Sequence, residues 1–293
     1  MPRIARSTRG LRGLGIVLAC LVMSPALSGC SGPPARAASD PVPSPRPASV
    51  TYGVPADPVS MVLPTTGEQS RTTQGLAAFG KLAAAWVMSD CARQHGGTVP
   101  DGPPPAFTRY SMLPDLSFLR AHGFGGGTLV PGAPPAGRSP SGHAAATGAE
   151  LRQCAARAGA VARGLQQIYA PLQSEWFTRL ASLDLEPEVR GAQRAFARCL
   201  GDHEVNAGDE GAFFQLVDRR LQASDAAGAR GLAVVYATCM KPVESARQPL
   251  RKELARTFRA EHTREIAEVR AELPGEIHKV EKRYGIRFSV PRL

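Results

Sequence analysis

An apolar run that ends in a cysteine takes the first 29 residues out of the fold and sets the chemistry in which the remainder must fold. Arg3, Arg6, Arg9 and Arg12, with no acidic residue among them, precede the fourteen residues Leu14 to Leu27, too short a run to span a bilayer as a stable helix. That is the pattern of a signal peptide. Leu27-Ser28-Gly29-Cys30 closes it with a small-residue cleavage site followed at once by a cysteine. This is the arrangement of a bacterial lipobox, in which the Cys30 thiol takes a diacylglyceryl group before cleavage on its N-terminal side. An ordinary secretory cut after Ala35-Arg36-Ala37 would lie behind Pro33-Pro34, away from the apolar run. No Arg-Arg pair supports a twin-arginine route. The mature chain is therefore expected on the extracytoplasmic face of the cell membrane, held there by lipid.

That address sorts the six cysteines. Cys20 leaves with the signal peptide and Cys30 carries lipid, which leaves Cys91, Cys154, Cys199 and Cys239 in an oxidising compartment where disulfides persist. Four cysteines allow three pairings, and the sequence does not choose among them. Pairing of neighbours, Cys91 with Cys154 and Cys199 with Cys239, is the guess. Removing residues 1–29 also removes four arginines, so the formal net charge falls from +10 to +6. A modest basic excess suits an anionic wall polymer or lipid headgroups and equally suits plain solubility.

Beyond Cys30 the chain divides by composition. Residues 30–74 form a linker in which Ser31 to Gln74 carries nine prolines and few apolar residues, so the stretch is expected to be a disordered tether with no core of its own. From Gly75 the pattern changes to Leu76, Phe79, Leu82, Ala83, Trp86, Val87 and Cys91, spaced at three and four like an amphipathic helix. Residues 96–149 hold eleven glycines and nine prolines, predicting a long loop around an apolar island that includes Phe107, Tyr110, Met112 and Leu113.

Helical spacing resumes at Leu151, with a kink or restart expected at Pro171, and again from Pro187, where proline suits a first turn. Ser224 or Asp225 is placed to cap a further helix. A last helix is expected from about Gln248 to Leu273, broken by Pro274-Gly275. Sustained period-two alternation is missing, so residues 75–293 read as a single all-α domain of about six helices.

Several motifs share the spacing of a family. Asp90-Cys91-Ala92-Arg93-Gln94-His95-Gly96, then Arg109-Tyr110, then Asp115 with Ala121-His122-Gly123-Phe124, and later Pro187-Glu188-Val189-Arg190, Phe196-Ala197-Arg198-Cys199 and Cys239-Met240, resemble small secreted lipoproteins of actinobacteria. The resemblance covers most of residues 75–275. It departs at Ala92 and Leu200, where a methionine commonly follows the cysteine. It implies export and brings no catalytic residues with it.

The chemical candidates are few. Cys91 with His95 and Cys199 with His203 each place a thiol and an imidazole on one helical face, which together would make a tetrahedral zinc site. The oxidising compartment favours disulfides instead, so no metal and no cofactor is expected. Asp202, Glu204, Asn206, Gly208, Asp209 and Glu210 approach a calcium loop, but its glycine falls one place late and Phe213 stands where the closing glutamate belongs. Gly-x-Ser-x-Gly is absent, and Gly123 to Gly127 lacks the Lys-Ser/Thr end of a phosphate loop. Of the scattered histidines, His262 falls on the apolar line of the last helix and reads as a packing residue. Residues 241–293 carry thirteen Lys and Arg against eight Glu, alternating in sign like a solvated helix face. Nucleic acid would fit the charge but not the compartment.

The function expected from sequence is that of a non-enzymatic, membrane-anchored lipoprotein that binds an envelope protein or an anionic wall polymer. An extracytoplasmic, metal-dependent hydrolase using the Cys-His pairs or the long loop is the alternative.

Overall fold

The computed structural model describes residues 48–99, 112–125 and 147–292. The segment read as a signal peptide, Cys30, the stretch read as a tether up to residue 47 and most of the expected long loop, with Phe107 and Tyr110, lie outside the described residues. The described part is all-α, with eight helices where about six were expected. They are α1 (Gly67–Gln94), α2 (Leu116–His122), α3 (Gly148–Ser182), α4 (Pro187–Asp202), α5 (Glu210–Gln222), α6 (Ala226–Cys239), α7 (Lys241–Glu261) and α8 (Thr263–Tyr284). None of them is long and apolar enough to cross a membrane. A small antiparallel pair, β1 (Val50–Tyr52) with β2 (Ser289–Pro291), joins the two ends of the domain, Val50 opposite Pro291 and Tyr52 opposite Ser289.

Helix boundaries follow local chemistry. Thr66, Asp115, Thr147, Asp209 and Asp225 are N-caps whose side chains accept from backbone N–H groups that have no partner within the helix. At α3 the cap is reciprocal, since the Glu150 carboxylate accepts from the Thr147 backbone N–H in a capping box. Pro187 stands in the first turn of α4, and Gly285 closes α8 in the left-handed conformation (φ 65°) that glycine adopts without steric cost.

Three sequence expectations need correction. The tether ends sooner than residue 74. Val59, Met61, Val62 and Leu63 are fully buried, a 3-10 turn covers Pro58–Met61, and α1 starts at Gly67 rather than Gly75. This short apolar run is flanked by prolines, so its composition averages out as linker; packed against α3 and α8 it is core. Prolines also break less than expected. Pro171, Pro249 and Pro274 all lie inside continuous helices, and the break between the last two helices falls at His262 (φ −113°, ψ 34°). His262 packs its ring on Phe258 at 4.2 Å, as a packing residue does. The third correction is the two-stranded pair, too short for the period-two pattern to register.

Two apolar clusters fill the domain. One collects residues 59–63, α1, α3, the C-terminal half of α7, α8 and Ile286–Phe288 around Trp176, Phe79, Leu273 and Ile277. The other collects α2, α4, α5, α6 and the N-terminal part of α7 around Phe196, Phe213 and Tyr236, with Phe124 stacked edge-on to Tyr236. Helix α7 spans both, with Val243 in the second cluster, Phe258 in the first and Leu250 touching each.

Candidate functional site

The two clusters are separated by a seam of buried charge. Arg247 and Arg251 lie four residues apart on the stripe of α7 that also carries Val243 and Phe258, so the helix that buries its apolar face buries two guanidinium groups with it. Glu244 sits between them and accepts from Arg247 at 3.0 Å and from Arg251 at 2.9 Å. Arg247 also reaches Asp184 at 2.6 Å, and these two carboxylates hold its pKa above the ordinary arginine value against the opposing effect of burial. Nearby, the Tyr236 hydroxyl donates to Glu210 at 2.5 Å. Burial raises the pKa of Glu210 despite that bond, and burial together with the Glu210 charge raises that of Tyr236 well above its usual value.

On the α1 side Arg71 is buried against Asp115, the N-cap of α2, at 2.8 Å, and its Nη1 donates to the Pro291 carbonyl at 2.6 Å. One guanidinium thus ties α1 to α2 and to β2. The backbones come close here: a Cβ on Gly67 would stand 2.5 Å from the Asp115 Cα and 2.5 Å from the Pro114 carbonyl oxygen, so only glycine fits.

The seam opens into a cleft of about 880 Å³. Its walls come from β1 and β2, the start of α1, the start of α2 and the first turns of α7. Arg71, Arg251, Lys241 and Arg292 line it together with Glu68, Asp115 and Glu244. Asp115 and Glu244 are committed to the buried arginines, which leaves Glu68 as the further carboxylate on the lining beside Lys241 and Arg292. Arg251 is 4% exposed. Its Nη1 donates to the Thr65 carbonyl at 3.4 Å and its Nη2 to Glu244, while its buried Nε has no partner among the described residues. A buried polar group left unpaired costs about 1–3 kcal/mol, more when charged, which makes Arg251 the most conspicuous polar side chain in the cleft.

The cysteines sit elsewhere. Cys91 pairs with Cys154 and Cys199 with Cys239, each with Cα atoms 5.5 Å apart. Each Cys-x3-His unit therefore meets a different third residue, His95 lying beside the first disulfide and His203 beside the second. The two units do not combine into one tetrahedral site, and in the oxidised state neither holds a thiolate. His95 instead faces Glu150 at 3.3 Å. In the acidic loop, Asp209 caps α5 by accepting from the Ala212 N–H at 2.7 Å, and the Glu210 carboxylate faces Tyr236 rather than a loop centre. Cys30 lies outside the described residues.

Sequence reasoning missed the cleft. Arg71 falls in the stretch read as tether, and Lys241, Glu244 and Arg251 in one read as a solvated helix face. The signal that was there is the i, i+4 placement of Arg247 and Arg251 on an otherwise apolar stripe. Comparison of the chain with protein-family models, with curated proteins and with solved structures yields no match.

Proposed function

We propose that this chain is a lipid-anchored protein of the extracytoplasmic membrane face that acts by binding, without catalysis of its own, and that the cleft between its two cores holds its envelope partner, a protein or an anionic wall polymer. The observation that carries the binding half is the cleft itself, about 880 Å³ in volume, on whose lining Arg71, Lys241, Arg251 and Arg292 are gathered from separate elements. The anchoring half rests on Leu27-Ser28-Gly29-Cys30.

One experiment addresses each half. Replacing Cys30 by Ser should move the protein from the membrane fraction to the medium, and retention would overturn the anchor. A photo-crosslinking residue at Ser245, on the cleft rim, should capture an envelope component in intact cells, whereas one at the exposed Arg219 should not. Equal capture at both positions would remove the cleft from the proposal.

A further inference from the structure

We infer that each disulfide is the oxidised form of a metal site: on reduction Cys91, His95 and Cys154, and separately Cys199, His203 and Cys239, each hold one thiophilic divalent ion of the zinc kind. This goes beyond the reading of the cleft and is independent of it.

The two trios are built alike. In each, the ligand atoms lie within 4.8 Å of one another. Cys91 and His95 close α1, Cys199 and His203 close α4, and each histidine is the C-cap of its helix, at φ −97°, ψ 14° and at φ −95°, ψ 18°. The next residue is left-handed in both, Gly96 at φ 74° and Glu204 at φ 58°. One residue further on, the Gly97 N–H donates to the Ala92 carbonyl and the Val205 N–H to the Leu200 carbonyl, both at 2.8 Å. Glu204 takes this conformation without being glycine. One backbone device thus presents a thiol and an imidazole, four residues apart, to a cysteine of another helix, and it occurs twice.

The surroundings suit a metal ion. Arg157 Nη1 lies 3.9 Å from the Cys91 sulfur, and a guanidinium beside a sulfur favours thiolate over thiol. His95 Nδ1 faces Glu150 at 3.3 Å, the carboxylate–histidine pairing that orients a ligating imidazole and leaves Nε2 for the ion. Glu150 and Cys154 stand four apart on α3, as Cys91 and His95 do on α1, so two facing helices supply the trio and its orienting carboxylate. Two thiolates and a neutral imidazole leave the fourth tetrahedral position to water. The second trio is the more open, with His203 exposed and Cys199 half-buried, so a reductant reaches it first.

A dithiol supplies the two electrons and two protons that open each S–S bond into two thiols, and is itself closed to a disulfide. The ion then takes both sulfurs as thiolates, and their two protons leave to solvent. Two zinc–sulfur bonds of about 2.3 Å at the tetrahedral angle set the sulfurs about 3.8 Å apart. Side-chain rotation provides that separation between Cα atoms 5.5 Å apart.

The test uses the full chain carrying Cys20→Ser and Cys30→Ser, so that the four paired cysteines are its only source of thiols. Reduced with a phosphine, it is titrated with Cd2+, read by thiolate absorption, and with Zn2+ against a metal indicator. The reduced chain should bind two ions and the oxidised chain none, with release of about two protons per ion near pH 7. His95→Ala and His203→Ala should each weaken one of the two sites by at least about tenfold. Glu150→Gln keeps an acceptor for the Thr147 cap; it should weaken the first site alone by about tenfold and leave the melting of the oxidised protein unchanged. A reduced chain that retains no ion overturns the inference, as does binding that neither histidine variant weakens or that persists in the oxidised chain. If reduction loosens the helices, the ion should restore the circular dichroism; binding without that recovery belongs to the thiols of an unfolded chain and also overturns it. Failure here leaves the cleft to be decided by the crosslink at Ser245.

Discussion

The two halves of the domain solve the same packing problem with different material. The half built on α1, α3 and α8 is closed by segments far apart in sequence: residues 59–63 lie under Trp176, whose indole N–H donates to the Pro64 carbonyl at 2.9 Å, and Ile286–Phe288 return from the other end of the chain. The half built on α4, α5 and α6 is assembled from consecutive helices with α2 and Phe124 added from before α3, and is filled with rings, Phe213 stacked on Tyr236 at 5.2 Å and Phe196 edge-on to both. Each half carries one disulfide, closing sequence separations of 63 and 40 residues. In the loop-entropy picture those lengths differ by only about 0.4 kcal/mol in what they contribute, so the bridges do not distinguish the halves. The distinction lies in what closes each core: both ends of the domain in one, a run of consecutive helices with the single distant segment of α2 and Phe124 in the other. The cleft forms where the two meet.

The largest expected effect breaks the symmetry between the halves, or fails to. Trp176→Ala and Phe213→Ala each empty the centre of one core and should each cost about 3–5 kcal/mol. If α7 couples the halves, as its burial in both clusters implies, both variants lower the midpoint of one shared unfolding transition. Two separated transitions in denaturant, one moved by each variant, would show that the halves fold independently.

Leu63→Ala comes next, at about 2–5 kcal/mol. A residue in a tether would change stability by a few tenths at most, so the result separates the composition-based boundary at residue 75 from the observed one. Equilibrium urea unfolding measures it, and a change below about 0.5 kcal/mol would return residues 48–66 to the linker.

The same contrast explains what was legible beforehand. The caps, the periodicity and the Pro187 start of the α4–α6 half are local signals, and the sequence displays them: Asp225 caps α6 and Pro187 opens α4 as expected. The other half depends on long-range partners. Val59, Met61, Val62 and Leu63 look like linker until α3 and α8 are brought beside them, and Pro171 looks like a break until α3 packs along both sides of it. The cleft was least legible. Arg71, Asp115 and Arg251 come from three elements, and nothing local in a guanidinium reveals that one of its N–H groups will be left without a partner.

A smaller effect tests the contact between the halves. Gly67→Ala places a methyl group against the Asp115 and Pro114 backbone, where no flexible side chain can give way. The expected cost is about 1–3 kcal/mol of strain, with a shift of α2 away from α1. Weakened binding in the cleft should accompany it, because the Arg71–Asp115 pair spans the same contact. Circular dichroism melts together with the crosslinking yield at Ser245 measure both, and unchanged stability would mean that the halves move apart there without resistance.

The smallest effect lies in the seam itself and has a sign fixed by protonation. Glu210 faces Tyr236 from α6, with Arg247, Asp184 and Glu244 as the surrounding charges, and burial raises its folded pKa above the unfolded value. A carboxyl raised in this way contributes its stabilisation fully below the unfolded value of about 4.3 and loses it as pH rises through the folded pKa. Wild-type protein should therefore lose stability from Glu210 across that window as pH rises from acid toward neutral. Glu210→Gln keeps an acceptor for the Tyr236 hydroxyl, which stays protonated throughout because its own pKa is raised, and has no proton to lose. The variant's stability relative to wild type should then grow as pH rises and level off once Glu210 is ionised in the folded state. Thermal melts of both proteins from about pH 4 to about pH 8 resolve the slope. A difference that shrinks with rising pH would mean that the positive side of the seam, Arg247 above all, outweighs burial at Glu210, and that the boundary between the two cores is held together by the ionised carboxylate instead of tolerating it.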